Sequence, residues 1–483
     1  MRIARPAQVD MVRGISKTPR HQLVASMGLG KSGAVLLRAS ALEWELGVWP
    51  GLVIVAPLQV AFAWVREIPL WLPGKSVSLV VGNADQRKAA LNRTADVTIM
   101  TYDNIPWVDQ VFPGENWSKW GQLMVCDEST RIKNTRATWM MSSAGKRFLR
   151  TDGGIQTRTM AKHAADFNYW VNATGTPSPN GLLDLYGQYW YLDGGARLGS
   201  SFTAYSDRWF RMPVRGGEFA KPEPIPGAAE EIAARIADVT TVCRVEDYYQ
   251  LDKPNIIDRM VVLPSKAATA YNEMKTKKFT EIVQGLGTKS ISALSAAAKV
   301  AKLAQIAAGF AYYRDEEVDP EITECAELHT VKIDAVESIL EETQEPLVVV
   351  YYHKATLALL RRRFKERLRE LDDRGQAQDD WNAGNIEILA LQYQSGGVGL
   401  SLQHGGRNIC LLEPTYRADD MAQVLERLGP MRQMQSGYNR TVNVFRVLAA
   451  GTVDRMIMDK VAAKQNLESL LIDLIQSNDS PTD

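Results

Sequence analysis

Eight short stretches of almost unbroken apolar sequence constrain this chain more than any other feature. Four lie in its first half, Leu52 to Ala56, Val97 to Tyr102, Leu123 to Cys126 and Trp170 to Ala173, and four in its second, Leu347 to Tyr352, Ile386 to Leu391, Ile409 to Leu412 and Val442 to Val447. A strand with one wet face alternates apolar and polar residues; these do not, so they are expected to be buried on both faces, in parallel sheets covered by helices. A chain of 483 residues exceeds what one core usually serves. The expected fold class is therefore α/β, in two tandem lobes. The first takes residues 1–253, with a loop and helical insertion at about 195–250. The second takes 254–475, with a helical entry at 265–310, and 476–483 form a flexible tail. Pro213 to Gly217 and Lys221 to Gly227 break both helix and strand and are expected in an exposed loop. The alanine-rich Ile291 to Ala308 reads as a closely packed helix. Arg361 to Leu371 is amphipathic, with Leu360, Phe364, Leu368 and Leu371 on one face and a solvated charged face opposite.

Composition narrows the class. Lys and Arg number 56 and so do Asp and Glu, so any nucleic-acid contact must come from a local groove and not from a global field. Cys126, Cys243, Cys325 and Cys410 are far apart and form no CxxC or Cys/His pattern, which points to a reducing cytoplasm without a disulfide framework or zinc site. The N-terminus lacks a signal-peptide core, and no run of about 18 apolar residues is present to span a bilayer.

Chemistry enters at Ser26-Met27-Gly28-Leu29-Gly30-Lys31-Ser32, between a short apolar run and the helical pattern Ala34 to Ala39. Glycines let successive N–H groups face one anion, Lys31 can reach the β/γ-phosphates, and the Ser32 hydroxyl can ligate Mg²⁺. The match is the short GxGK[ST] core, and a glycine turn with an incidental lysine is the structural alternative. After the strand Leu123 to Cys126 come Asp127 and Glu128, a pair suited to holding a metal and activating water. Ala173-Thr174-Gly175-Thr176-Pro177 ends the next strand, and Ala56-Pro57 precedes a helix carrying Trp64-Val65-Arg66-Glu67. In the second lobe stand Ser395 to Gln403, with Gly397 and Gly399, and then Gln423, Arg427 and Arg432.

In this fixed order the motifs GLGKS, AP with WxxE, TY, DEST, ATGTP, GGVGLSLQ and QxxxR resemble the superfamily 2 helicases, and among them the Swi/Snf-like DNA translocases. Arg5-Pro6-Ala7-Gln8 looks like the adenine-reading Q motif, and DESTRIKN, LGSSF and WNAG look like phage-encoded members. The resemblance runs from about residue 3 to about 465. It implies two RecA-like lobes with an ATP cleft between them, and ATP and Mg²⁺ as cofactors. Gln8 would select adenine; Met27, Gly28, Leu29, Gly30, Lys31 and Ser32 would bind the nucleotide; Ser32 and Asp127 would hold the metal. Lys31, Asp127, Glu128, Arg427 and Arg432 would be catalytic. Pro57, Thr101, Thr174, Thr176, Gly397, Gly399 and Gln423 would couple the nucleotide to DNA.

One departure stands out. Arg427 matches the first arginine of the family's QxxGRxxRxGQ, whereas Pro430 occupies the place of the second and Gly429 that of the usual histidine, leaving Arg432 two residues further on. The expected function is an ATP-dependent DNA helicase or translocase. The alternative is an ATP-gated nucleic-acid-binding switch without processive motion. The expected partner is DNA, double-stranded first, with single strands or RNA as alternatives. The expected setting is the cytoplasm, a host's if phage-encoded, without a membrane, with a monomer as the simplest oligomeric state.

Overall fold

The computed structural model describes residues 3–142, 147–213, 222–276, 296–314, 323–372, 376–393 and 401–479. Gly397 and Gly399, most of the Pro213–Gly227 loop, positions 291–295 and the last four residues lie outside the described residues. Two compact units result, residues 1–250 together with 464–483, and residues 251–463.

The first unit is built on a seven-stranded sheet in the order Thr240–Cys243, Arg20–Ala25, Tyr169–Thr174, Leu123–Asp127, Leu52–Ala56, Val97–Thr101, Val77–Val80. Every neighbouring pair is parallel. The apolar runs form its centre: all five residues of Leu52–Ala56, of Val97–Thr101 and of Leu123–Asp127 are buried, as double-sided coverage requires. The second unit carries six parallel strands in the order Asn255–Val261, Asn443–Ala449, Asn408–Leu411, Leu347–Tyr351, Ile388–Gln392, Leu368–Glu370. Two parallel sheets flanked by helices are the RecA-like architecture expected.

Three local expectations differ from what is found. The insertion expected at about 195–250 contributes Thr240–Cys243 to the main sheet, beside the strand that leads into the phosphate loop. That edge is pinned by His21, whose ring nitrogens meet the hydroxyls of Thr18 and Thr241, each at 2.8 Å. Burial pushes the His21 imidazole down to about 3, so it sits there neutral. The amphipathic helix expected through Leu371 stops at Phe364, because Lys365 adopts φ 46° and Leu368–Glu370 joins the sheet edge. Its charged face is solvated as expected, with Arg361, Arg362, Arg363 and Arg367 paired to Glu370, Glu327, Glu337 and Glu387. Finally, the helix Val453–Asp479 continues where a tail was expected from 476. Its residues from 464 belong to the first unit, since Leu471 and Ile475 are buried in that core, Glu468 accepts the Ser178 N–H at 2.9 Å and Asp473 pairs with Arg244 at 2.5 Å.

No helix among the described residues is long and apolar enough to cross a membrane. All four cysteines are free.

Candidate active site

In a parallel sheet the carboxyl ends of all strands lie on one edge, and ligands collect there. Register brings the sequence-predicted residues of the first unit to that edge: Ala56 pairs with Thr101, Ala173 with Asp127, and Val24 with Thr174. The strand feeding the phosphate loop and the strand ending in Asp127 are separated by one strand, Tyr169–Thr174, the spacing that lets a lysine after one and a carboxylate after the other serve the same phosphate.

The phosphate loop turns through Gly28 at φ 80° and Gly30 at φ 90°, values that suit glycine, and the 16-residue helix Lys31–Leu46 begins at once. At Gly30 a side chain would also collide, because a Cβ there would lie 2.6 Å from both Arg5 Nη2 and Gln8 Nε2. Those residues brace the loop. The Gln8 amide donates to the Gly30 carbonyl at 3.0 Å while its Oε1 accepts the Arg5 N–H at 3.1 Å, and Arg5 Nη2 donates to the Leu29 carbonyl at 3.2 Å. Lys31 Nζ donates to the Ala25 carbonyl at 2.8 Å.

Asp127 is buried at its strand end. Its Oδ2 accepts the Trp64 indole N–H at 2.8 Å, its Oδ1 accepts the Glu128 N–H at 3.1 Å, and its backbone carbonyl accepts the Tyr102 hydroxyl at 2.9 Å. Burial raises the Asp127 carboxyl above its ordinary range, opposed by the Lys31 ammonium and then by the Trp64 hydrogen bond. Glu128 has φ 54° and ψ 58°, left-handed backbone that costs a non-glycine residue on the order of 1 kcal/mol. A glutamate held in that conformation directly after the buried aspartate is aimed by its backbone. The residues fit a magnesium triphosphate by their chemistry: a lysine and a helix N-terminus for phosphate, the Ser32 hydroxyl, and a carboxylate with one acceptor position per oxygen uncommitted by the bonds above.

Thr174, fully buried, turns the chain locally: its hydroxyl accepts the Thr176 N–H at 3.2 Å and donates to the Thr176 carbonyl at 3.3 Å. Pro57 caps the helix Leu58–Trp71, and Thr101 ends its strand nearly buried. Sequence reasoning missed Gln188, from the helix Leu185–Asp193. Its Oε1 accepts the Ser129 hydroxyl at 2.8 Å and its amide donates to the Pro177 carbonyl at 2.7 Å, joining DEST to ATGTP. The signal was present, since a glutamine inside LYGQYWYLD has no apolar reason to be there.

In the second unit Gln423 lies on the helix Ala418–Glu426, and Arg427 caps its end, almost buried. Gly429-Pro430 then starts a new short helix, Pro430–Gln435, with proline at its first position where no N–H is needed. Arg432 on that helix is half-buried and donates to Ser401 Oγ at 3.2 Å, and desolvation lowers its guanidinium. Gln433, which falls where the pattern has its final glutamine, donates to the Gly406 and Leu428 carbonyls at 2.9 and 3.1 Å. Arg440 ties it further to Gln403 and Gly406. Glu413 accepts the N–H groups of Tyr352 and His353 at 2.6 and 2.9 Å and the Thr356 hydroxyl. Burial pushes this carboxyl up, but His353 and the other donors outweigh it and hold it below the usual range.

A phosphate loop, an acid pair one strand away and a second parallel-sheet unit define a P-loop nucleotide-binding protein of the superfamily 2 type. The SNF2-related domain model matches residues 17–152. Putative protein p41 of Acyrthosiphon pisum secondary endosymbiont phage 1 is 35% identical over 481 residues, covering 98% of each chain. The chain belongs to the SNF2-related, Swi/Snf-like family and carries its SNF2-related domain at residues 17–152. The DNA repair and recombination protein RAD54-like of Gallus gallus is 21% identical over 92% of this chain and 63% of its own length. Helicase swr1 of Aspergillus fumigatus is 27% identical over 43% of this chain, which spans only 11% of that relative. Among solved structures, the Sulfolobus solfataricus SWI2/SNF2 ATPase core in complex with dsDNA is 20% identical, covers 99% of this chain and 94% of its own, and has a TM-score of 0.41.

Proposed function

We propose that this protein hydrolyses ATP with Mg²⁺ to translocate on or remodel DNA, double-stranded DNA being the favoured track. The observation that carries the reading is the single sheet edge on which Lys31, Asp127 and the backbone-constrained Glu128 stand beside Pro57, Thr101 and Thr174. Lys31 and the loop glycines take the phosphates, Ser32 and Asp127 the metal, and Glu128 the attacking water. Pro57, Thr101, Thr174 and Thr176 link that chemistry to a strand, and Gln8 joins adenine selection to the shape of the loop it braces. Arg427 and Arg432 of the second unit are the candidate sources of positive charge for the transition state, with Gln423 on the same helical run as Arg427. Gly397 and Gly399 are assigned to strand coupling on the motif resemblance alone.

One observation favours a second reading. Arg432 is half-buried and donates to Ser401 Oγ within its own unit, so it need not act as a finger, and the protein would then use ATP binding as a switch on nucleic acid without processive motion. ATP-dependent displacement of a triplex-forming strand from double-stranded DNA is expected for the motor and absent for the switch. Both readings require a phosphate-contacting surface. With six or more such contacts, affinity for a duplex fragment should fall by about 10³-fold between 50 and 200 mM salt. Salt-insensitive binding would contradict both.

A further inference from the structure

We infer that Trp64 is a positioning residue for the metal-holding carboxylate, its indole N–H fixing the Asp127 side chain in the orientation that accepts a hydrated divalent cation. The inference rests on the reading of Asp127 as that carboxylate. Trp64 belongs to the buried stripe Ala61, Trp64, Ile68 and Trp71 of the helix Leu58–Trp71, which directly follows the strand next to that of Asp127. At 2% exposure it would be an ordinary core residue, but its Nε1–H donates to Asp127 Oδ2 at 2.8 Å. The Glu128 N–H holds the other oxygen at 3.1 Å. Two donors on two different oxygens fix the rotation of the carboxylate about its terminal bond, and each oxygen keeps one further acceptor position for a metal-bound water.

Burial alone does not explain the pairing. Among the described residues the buried indole N–H groups of Trp117 and Trp190 meet no protein acceptor, so burial of a tryptophan does not by itself dictate such a pairing here. The Trp71 indole, two stripe positions further along, meets Glu67 of its own helix at 3.0 Å, which needs no catalytic explanation. Trp64 alone among these reaches the acid pair. A hydrogen bond to an ionised acceptor is about twice as strong as a neutral one. Partners that orient a metal-holding group typically change metal affinity by about 10- to 100-fold when removed.

The test is Mn²⁺ affinity, read by electron paramagnetic resonance in the presence of a non-hydrolysable ATP analogue, for the parent protein, Trp64→Phe and Asp127→Asn. Trp64→Phe keeps an aromatic ring and removes the donor, and should weaken Mn²⁺ about tenfold or more, while metal-free nucleotide affinity stays within about twofold. If Asp127→Asn weakens Mn²⁺ and Trp64→Phe does not, the positioning role is overturned and the metal reading stands. If Asp127→Asn has no effect, the metal reading itself fails. Should Trp64→Phe not fold, benzothienylalanine in place of Trp64 keeps the shape without the N–H; Mn²⁺ affinity equal to the parent's would again overturn the inference.

Discussion

Replacing Glu128 with glutamine is expected to lower ATP turnover by about 10²- to 10⁴-fold while leaving nucleotide affinity nearly unchanged. The substitution keeps side-chain length and the left-handed backbone at φ 54°, and removes only the capacity to take a proton. On the proposed reading, binding rests elsewhere, on Lys31, the loop glycines and the brace formed by Arg5 and Gln8, so equilibrium titration with a fluorescent ATP analogue should change little. Lys31→Ala should show the opposite balance, losing affinity first. Glu128 is also one of only three non-glycine residues with positive φ among the described residues, and the other two, Gln344 and Lys365, sit at helix ends. Both of those end a long helix, whereas Glu128 joins the strand ending in Asp127 to the 3-10 turn Ser129–Ile132, and the functional role is assigned on that placement beside the buried aspartate. Undiminished turnover in Glu128→Gln would remove the assignment of the attacking-water base.

The second large effect is on stability. Lys332 and Asp454 form an ion pair at 2.6 Å with both side chains 1% exposed. Lys332 also donates to the Leu412 carbonyl at 3.3 Å, and Asp454 accepts the Ala449 N–H at 2.9 Å. Removing one member leaves a buried, unpaired charge, and Asp454→Ala should destabilise the second unit by about 3–5 kcal/mol. Replacing both charges together, Lys332→Met with Asp454→Asn, should recover much of that loss, because no charge is stranded and the asparagine still accepts from Ala449. The measurement is hydrogen exchange in strands Leu347–Tyr351 and Asn443–Ala449 across a urea series. A double variant as unstable as Asp454→Ala would mean that the packing of these side chains dominates, and not their charge. The pair matters to the site because Leu412 directly precedes Glu413, whose carboxylate holds the start of the helix Lys354–Phe364.

Much of this was legible in the sequence for a definite reason. Strands buried on both faces have to be apolar throughout, so Leu52–Ala56, Leu123–Asp127 and Leu347–Tyr351 declare themselves locally. The phosphate loop does so too, since Gly28 and Gly30 answer first to backbone geometry, with Arg5 and Gln8 adding a steric demand at Gly30. Residues whose role comes from tertiary neighbours are silent. Thr240–Cys243 is short and half hydroxylated, and joins the sheet only because Arg20–Ala25 offers it an edge and His21 a hydrogen bond. The apolar positions Leu467, Leu471, Leu474 and Ile475 read as an ordinary helix stripe, with nothing local to say that they pack into the first unit. Trp64 was visible as part of a helix start, but its partner lies 63 residues away. Pro430 was visible as a departure, and its consequence, a fresh helix that carries Arg432 toward Ser401, required the fold.

The central claim is that one sheet edge couples ATP chemistry to a nucleic-acid strand. Steady-state ATP hydrolysis with no nucleic acid, duplex DNA, single-stranded DNA and RNA, with Lys31→Ala as the control, tests it most directly. Low basal turnover, stimulation greatest with duplex DNA, and loss of all activity in Lys31→Ala are expected; turnover that is unchanged by every nucleic acid, or that survives Lys31→Ala, would overturn the proposed coupling.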